Sequence, residues 1–60
     1  MSIIQRRILQ LCRAIEGAAR ADILRLFAEH EADAVVAEID AMVTAGLLVE
    51  RGGRLYLGAP

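Results

Sequence analysis

The stretch that decides the fold runs from Asp33 to Leu57 and reads DAVVAEIDAMVTAGLLVERGGRLYL. In its first half, apolar residues recur at the spacing of an amphipathic helix. They form one stripe: Val35, Val36, Ile39, Met42 and Val43. Asp33 can cap this helix by accepting a hydrogen bond from a free amide of the first turn. Gly46 can end it in the left-handed conformation. We therefore predict a helix from about residue 33 to 45.

The second half of the stretch predicts a β-hairpin over about residues 47–57, with its tip at Gly52-Gly53. Two strand registers compete. A two-residue glycine loop sets Arg51 directly across from Arg54, a like-charge pair that disfavours this register. A three-residue loop with a bulge pairs Glu50 with Arg54 instead, and we prefer it.

The preferred register assigns the apolar side chains of the hairpin to two faces. Four of them point toward the helices: Leu47, Val49, Leu55 and Leu57. Leu48 and Tyr56 then lie on the outer face, where two exposed apolar neighbours indicate a binding partner.

The residues before this stretch predict two more helices. The first runs from about residue 3 to 15, with Ser2 as its N-cap. Its apolar stripe consists of Ile4, Ile8, Leu11 and Ile15, widened by Leu9 and Cys12. Gly17 ends it. A second helix, from about residue 19 to 28, buries Ile23, Leu24 and Phe27. The short polar turn that follows makes helices two and three cross steeply.

Size and composition limit the possible classes of protein. Sixty residues form one domain at most, spanning residues 1–60. The hydrophobic share is 57% and the aromatic share 3%, so the core is aliphatic and surplus apolar surface favours contact between chains. No apolar run is long enough for a membrane span, and the N-terminus lacks the order of a signal peptide. We expect a cytoplasmic protein.

The chain offers no arrangement of residues suited to catalysis. The single cysteine, Cys12, excludes a disulfide framework or a zinc set, and it is expected to be a small core residue. His30 is expected to be a solvated residue at a helix end. No nucleophile pairs with a histidine, and Gly52-Gly53 is a turn. We predict no enzyme activity, cofactor, metal or small-molecule substrate.

Charge is distributed unevenly although the net charge is only −1. Five of the seven arginines lie within residues 1–27, and Arg51 and Arg54 lie on the hairpin. Every charged residue from Ala28 to Glu50 is acidic. The third helix therefore carries no cation.

The pattern from about Ala21 to Leu57 resembles the winged helix-turn-helix of small bacterial and phage transcription regulators, including MarR-type and ArsR-type repressors. The resemblance rests on Asp33, the third-helix stripe, Ala45-Gly46-Leu47-Leu48 and the wing Arg51-Gly52-Gly53-Arg54. It implies a mainly α fold of three helices with a small β-hairpin. In such regulators the third helix enters the DNA major groove. The groove-facing positions here would be Ala34, Ala37, Ala41 and Thr44.

Two functional hypotheses follow. In the first, a non-enzymatic regulatory module binds protein, itself as a homodimer or a partner, through its acidic, alanine-lined third helix. That interface comprises Ala34, Ala37, Glu38, Ala41, Thr44, Leu48 and Tyr56. In the second, a dimeric transcription regulator contacts DNA phosphates through Arg20, Arg51 and Arg54. We favour the first, because alanines cannot donate to base edges and carboxylates repel phosphates.

Overall fold

The computed structural model of the chain describes residues 2–58 and contains three α-helices and one three-stranded antiparallel sheet. The helices are α1 (Ile3–Leu11), α2 (Arg20–Leu24) and α3 (Ala32–Thr44). The strands are β1 (Ala18–Ala19), β2 (Leu48–Arg51) and β3 (Arg54–Leu57), in the spatial order β1-β3-β2. The predicted three helices and hairpin are confirmed. Strand β1 was not predicted, and it makes the fold mixed α/β.

Helix α1 begins as predicted and ends early. The Ser2 hydroxyl accepts from the Gln5 amide at 3.2 Å, and the Gln5 side chain accepts from the Ser2 amide at 3.1 Å, which is a capping box. The helix ends at Leu11 rather than at residue 15, and a turn closed from the Gly17 amide to the Ala14 carbonyl follows. Ile15 lies in this turn and is 96% exposed, so its predicted core position is wrong. The chain leaves the helix early because the residues after Gly17 pair with β3.

Helix α2 is much shorter than the predicted 19–28, because a turn replaces its last part. The amides of Leu26 and Phe27 donate to carbonyls three residues back, at 3.1 and 3.2 Å. Phe27 nevertheless reaches the core, as does Ile23.

The start of helix α3 differs from the prediction, whereas its end agrees. A 3₁₀ turn (Glu29–Glu31) leads directly into α3, so Asp33 lies inside the first turn and is not the cap. At the other end Gly46 has φ +79°. Its amide donates to Val43 and the Leu47 amide donates to Met42, at 3.1 and 2.9 Å. These two bonds form a Schellman motif, and the predicted glycine stop is confirmed.

The hairpin adopts the register that we had rejected. Arg51 pairs with Arg54 across a two-residue turn in which Gly52 and Gly53 have φ of +56° and +77°, as a type I′ turn requires. The like charges are tolerated because the Arg54 guanidinium donates to the Glu16 carbonyl at 2.6 Å instead of facing Arg51. The prediction erred by giving the charge pair more weight than the turn geometry.

The observed register reverses three of the predicted side-chain positions. Leu48 is buried, with 1% exposure, whereas Leu47 and Leu57 are each 43% exposed. Leu55 is buried as predicted. Leu48 is therefore a core residue and not part of an outer apolar face.

The core draws on all three helices and on the hairpin. Its buried members are Ile8, Cys12, Ile23, Phe27, Val35, Ile39, Met42, Leu48 and Leu55. Burial raises the pKa of the Cys12 thiol, which fits the predicted core role. None of the helices in the described range combines the length and apolar character that crossing a membrane requires.

Gly17 and Gly46 both have positive φ, and this allows a matched test of the contact between β1 and the hairpin. A Cβ at Gly17 would overlap the Leu55 carbonyl oxygen and lie 2.8 Å from a ring carbon of Tyr56, whereas a Cβ at Gly46 meets open space. Gly46→Ala should lower the free energy of unfolding by about 1–2 kcal/mol through backbone strain alone. Gly17→Ala should cost at least about 2 kcal/mol more, because overpacking adds to the strain.

Urea denaturation followed by circular dichroism measures both variants. Equal losses of stability would show that the approach of Gly17 to β3 is not tight.

Candidate protein-binding surface

The outer face of α3 consists of the small residues that the sequence placed there. Ala34, Ala37, Ala41 and Thr44 are all exposed. The opposite side of the same helix is buried through Val35, Ile39 and Met42. The predicted inward and outward faces of α3 are therefore confirmed. No cation lies on either face, because α3 contains neither Lys nor Arg.

Acidic side chains flank this outer face. Asp33 and Asp40 are exposed. Glu38 is half-buried, and its Oε2 atom accepts a hydrogen bond from Nε2 of Gln5 in α1 at 2.8 Å. Glu38 thus helps to hold α1 against α3, and its carboxylate is less available to a partner than that of Asp33. Asp40 is also engaged, because one of its oxygens accepts a hydrogen bond from Arg20.

Arg20 links the first turn of α2 to two carboxylates on other elements. Its Nε and one Nη donate to the two oxygens of Glu50 at 2.6 and 3.0 Å, in a bidentate pair. The same Nη donates to Asp40 at 2.8 Å. The hydrogen bond from Arg20 lowers the pKa of Glu50, and the two carboxylates, Glu50 first, raise the pKa of Arg20. Arg20 was a candidate phosphate contact, and the structure shows its guanidinium already engaged.

The two hairpin arginines have different surroundings. Arg54 is half-buried and donates to the carbonyl oxygens of Glu16 and Gly17, at 2.6 and 3.2 Å. Arg51 is exposed, and within residues 2–58 it makes no side-chain hydrogen bond or ion pair. Of the three candidate phosphate contacts, therefore, only Arg51 extends freely from the described part of the chain.

The predicted apolar pair on the outer face of the hairpin does not form. Leu48 is buried, so its assignment to the interface is wrong. Tyr56 is half-buried, and its ring lies close to Gly17.

A second surface feature was not identified from the sequence. A groove of about 240 Å³ lies beside α1 and the turn after α2. Its lining residues are Arg7, Gln10, Leu11, Leu26 and Phe27. We call it the α1–α2 groove. The guanidinium carbon of Arg7 lies 5.1 Å from the centre of the Phe27 ring, a cation–π contact. Leu26 is 56% exposed at this groove because α2 ends before reaching it.

The described residues offer no constellation for metal binding: between Ser2 and Gly58 no three His, Cys, Asp or Glu side chains cluster to hold an ion.

Comparison with protein-family models, with curated proteins and with solved structures finds no match to this chain. What the surface can do must therefore be argued from its own residues.

The Arg20–Glu50 pair predicts an acid-dependent stability. A carboxyl whose pKa is lowered by folding contributes stability above its unfolded pKa and loses it as pH falls through the folded pKa. Between about pH 6 and pH 3, the urea midpoint of the wild type should fall more steeply than that of Glu50→Gln. Glu29→Gln, at an exposed glutamate without an ion pair in the described range, should follow the wild type.

If the curves of the wild type and Glu50→Gln run parallel over that range, the ion pair does not stabilise the fold in solution.

Proposed function

We propose that the chain is a small, non-enzymatic winged-helix module, regulatory in character, that binds protein through the outer face of α3. Three helices followed by a hairpin are compatible with a winged-helix arrangement. The observation that carries the proposal is the exposed row Ala34, Ala37 and Ala41, in a helix without any cation. Such a helix is poorly suited to nucleic acid and well suited to close helix packing.

Small side chains favour protein as the ligand of α3. A row of alanines lets the backbone of a second helix approach closely, so that main-chain and methyl surfaces make dispersion contacts along the row. Asp33 and Asp40 lie at its edges, and one oxygen of Asp40 is bound by Arg20. Carboxylates at the rim of an apolar strip select a partner with basic residues at matching positions and repel acidic ones.

The alternative is a dimeric DNA-binding regulator, and the hydrogen bonds of the arginines disfavour it. Affinity for DNA comes largely from cations that reach phosphates. Arg20 is shared between Asp40 and Glu50, and Arg54 is bound to backbone carbonyls. Each would have to break these bonds to reach a phosphate. Of the three candidate contacts only Arg51 remains, so a dimer offers two such contacts, fewer than the six to ten or so of a typical DNA-binding protein.

Ala37→Arg tests the proposed surface by placing a long charged side chain in the middle of the row. We expect it to abolish the concentration-dependent self-association of the wild type, because the side chain blocks close approach. Sedimentation equilibrium measures the mass. Ala21→Arg, at an exposed alanine of α2, is the matched control and should associate like the wild type. Equal assembly of Ala37→Arg and wild type would contradict the proposal.

A fluorescence-anisotropy titration with random and upstream DNA at low salt tests the alternative. We expect no saturable binding. Saturable binding that weakens steeply with salt and disappears in Arg51→Ala/Arg54→Ala would establish DNA recognition instead.

A further inference from the structure

The α1–α2 groove combines an apolar floor with a basic rim. Leu11, Leu26 and Phe27 line it, and Arg7 lies over the Phe27 ring. Ile3 precedes Arg7 by one helical turn, on the same side of α1, and is 75% exposed. Ile3 thus adds apolar surface on this side of α1 beyond the groove.

All the charged residues between Ser2 and Ile15 are basic, and one of them, Arg7, lines the groove. Arg6, Arg7 and Arg13 lie on α1 and the turn after it, and all three are exposed. Within residues 2–58 none of them forms an ion pair, in contrast to Arg20 and Arg25. No acidic residue occurs between Ser2 and Ile15. An occupant with negative charge beside a narrow backbone would complement this surface.

The outer face of α3 has these properties. Its alanines are small where the groove presents the large Leu26, and the exposed carboxylate of Asp33 beside them is acidic where the groove has Arg7. Side-chain size and charge are thus complementary between two different faces of the same chain.

We propose that the α1–α2 groove of one copy receives the outer face of α3 from a second copy, with Arg7 of the groove paired to Asp33. This inference rests on the proposed function and names its partner. Because the two faces differ, the contact is heterologous. Each added copy leaves one groove and one α3 face free, so assembly proceeds head to tail into rings or open chains.

The contact is of the weak, transient class. Alanine methyl groups bury little apolar area, and apolar area supplies most of the association energy. A standard stable interface buries about 800 Å² on each partner. That amounts to roughly a fifth of the 4121 Å² surface of this chain, more than the four small side chains of the α3 face provide. The association must therefore be measured over a wide concentration range, up to about 1 mM.

Complementation between two blocked variants tests this pairing. Leu26→Glu blocks the groove and leaves α3 intact; Ala37→Arg blocks α3 and leaves the groove intact. Each variant alone should bind itself at least about tenfold more weakly than the wild type. An equimolar mixture should form a 1:1 heterodimer and nothing larger. The intact groove of Ala37→Arg binds the intact α3 face of Leu26→Glu, and no second intact pair of faces remains. Sedimentation equilibrium of each sample gives the masses.

Two controls keep the test independent of folding. Leu57→Glu replaces a leucine that is 43% exposed on the hairpin, outside both faces, and should assemble like the wild type. Arg7→Glu at the groove should reproduce Leu26→Glu without altering a leucine. Circular dichroism confirms that each variant retains its helices.

The outcomes separate this inference from the proposed function. If Leu26→Glu and Arg7→Glu assemble like the wild type while Ala37→Arg does not, the groove assignment is overturned and the role of α3 stands. Monomeric variants that fail to pair on mixing would overturn the heterologous geometry, and a wild type that remains monomeric at about 1 mM would overturn self-recognition itself. If Ala37→Arg assembles normally, both proposals fall together.

Discussion

The pairing of β1 with β3 is the constraint on which the rest of this small fold depends. Ala18 and Ala19 lie opposite Leu55 and Arg54, which joins the segment after α1 to the hairpin at the end of the chain. Gly17 permits this approach because it has φ +68° and leaves room for the Leu55 carbonyl. The Arg54 guanidinium then binds the carbonyls of residues 16 and 17. Backbone and side chain thus hold the same junction.

The position of Arg20 follows from this junction and determines the electrostatic character of the surface. Arg20 begins α2 directly after β1, where it meets carboxylates from β2 and α3. A partly exposed ion pair contributes modestly to stability, but this one satisfies a cation that would otherwise be available to an anionic ligand. The basic residues that remain free lie on α1 and at the hairpin tip. The protein therefore presents separate acidic and basic faces.

Local sequence signals predicted the parts of the fold that local energetics control. The Ser2 cap, the Gly46 stop and the inward side of α3 each depend on a few neighbouring residues, and all three agree with the structure. The predictions failed where contacts between residues distant in the sequence determine the local structure. Two alanines carry no strand signal, so β1 exists only because β3 offers a free edge. The early end of α1, and with it the exposure of Ile15, follows from the same pairing.

Contacts between residues distant in the sequence also explain the errors in the predicted hairpin register and candidate site. In an isolated hairpin, repulsion between Arg51 and Arg54 would favour a bulged turn. Here two carbonyl oxygens, 37 and 38 residues away, bind the Arg54 guanidinium, so that it does not face Arg51. That error placed Leu48 on the surface. The prediction that the alanines lie on the outer face of α3 was correct, because helical periodicity alone determines which side of the helix they occupy. The α1–α2 groove was missed because it exists only where α2 stops short, and helix length was the least accurate prediction.

In the proposed assembly, an alanine-lined acidic helix and a basic-rimmed groove recognise each other between copies. Nuclear magnetic resonance tests it most directly, with dilute ¹⁵N-labelled protein titrated by unlabelled wild-type protein. We expect amide shift changes in two separate clusters, around Ala37 in α3 and around Leu11 and Leu26 at the groove, with little change at Gly52 and Gly53. Changes confined to the hairpin, or to only one of the two clusters, would contradict it.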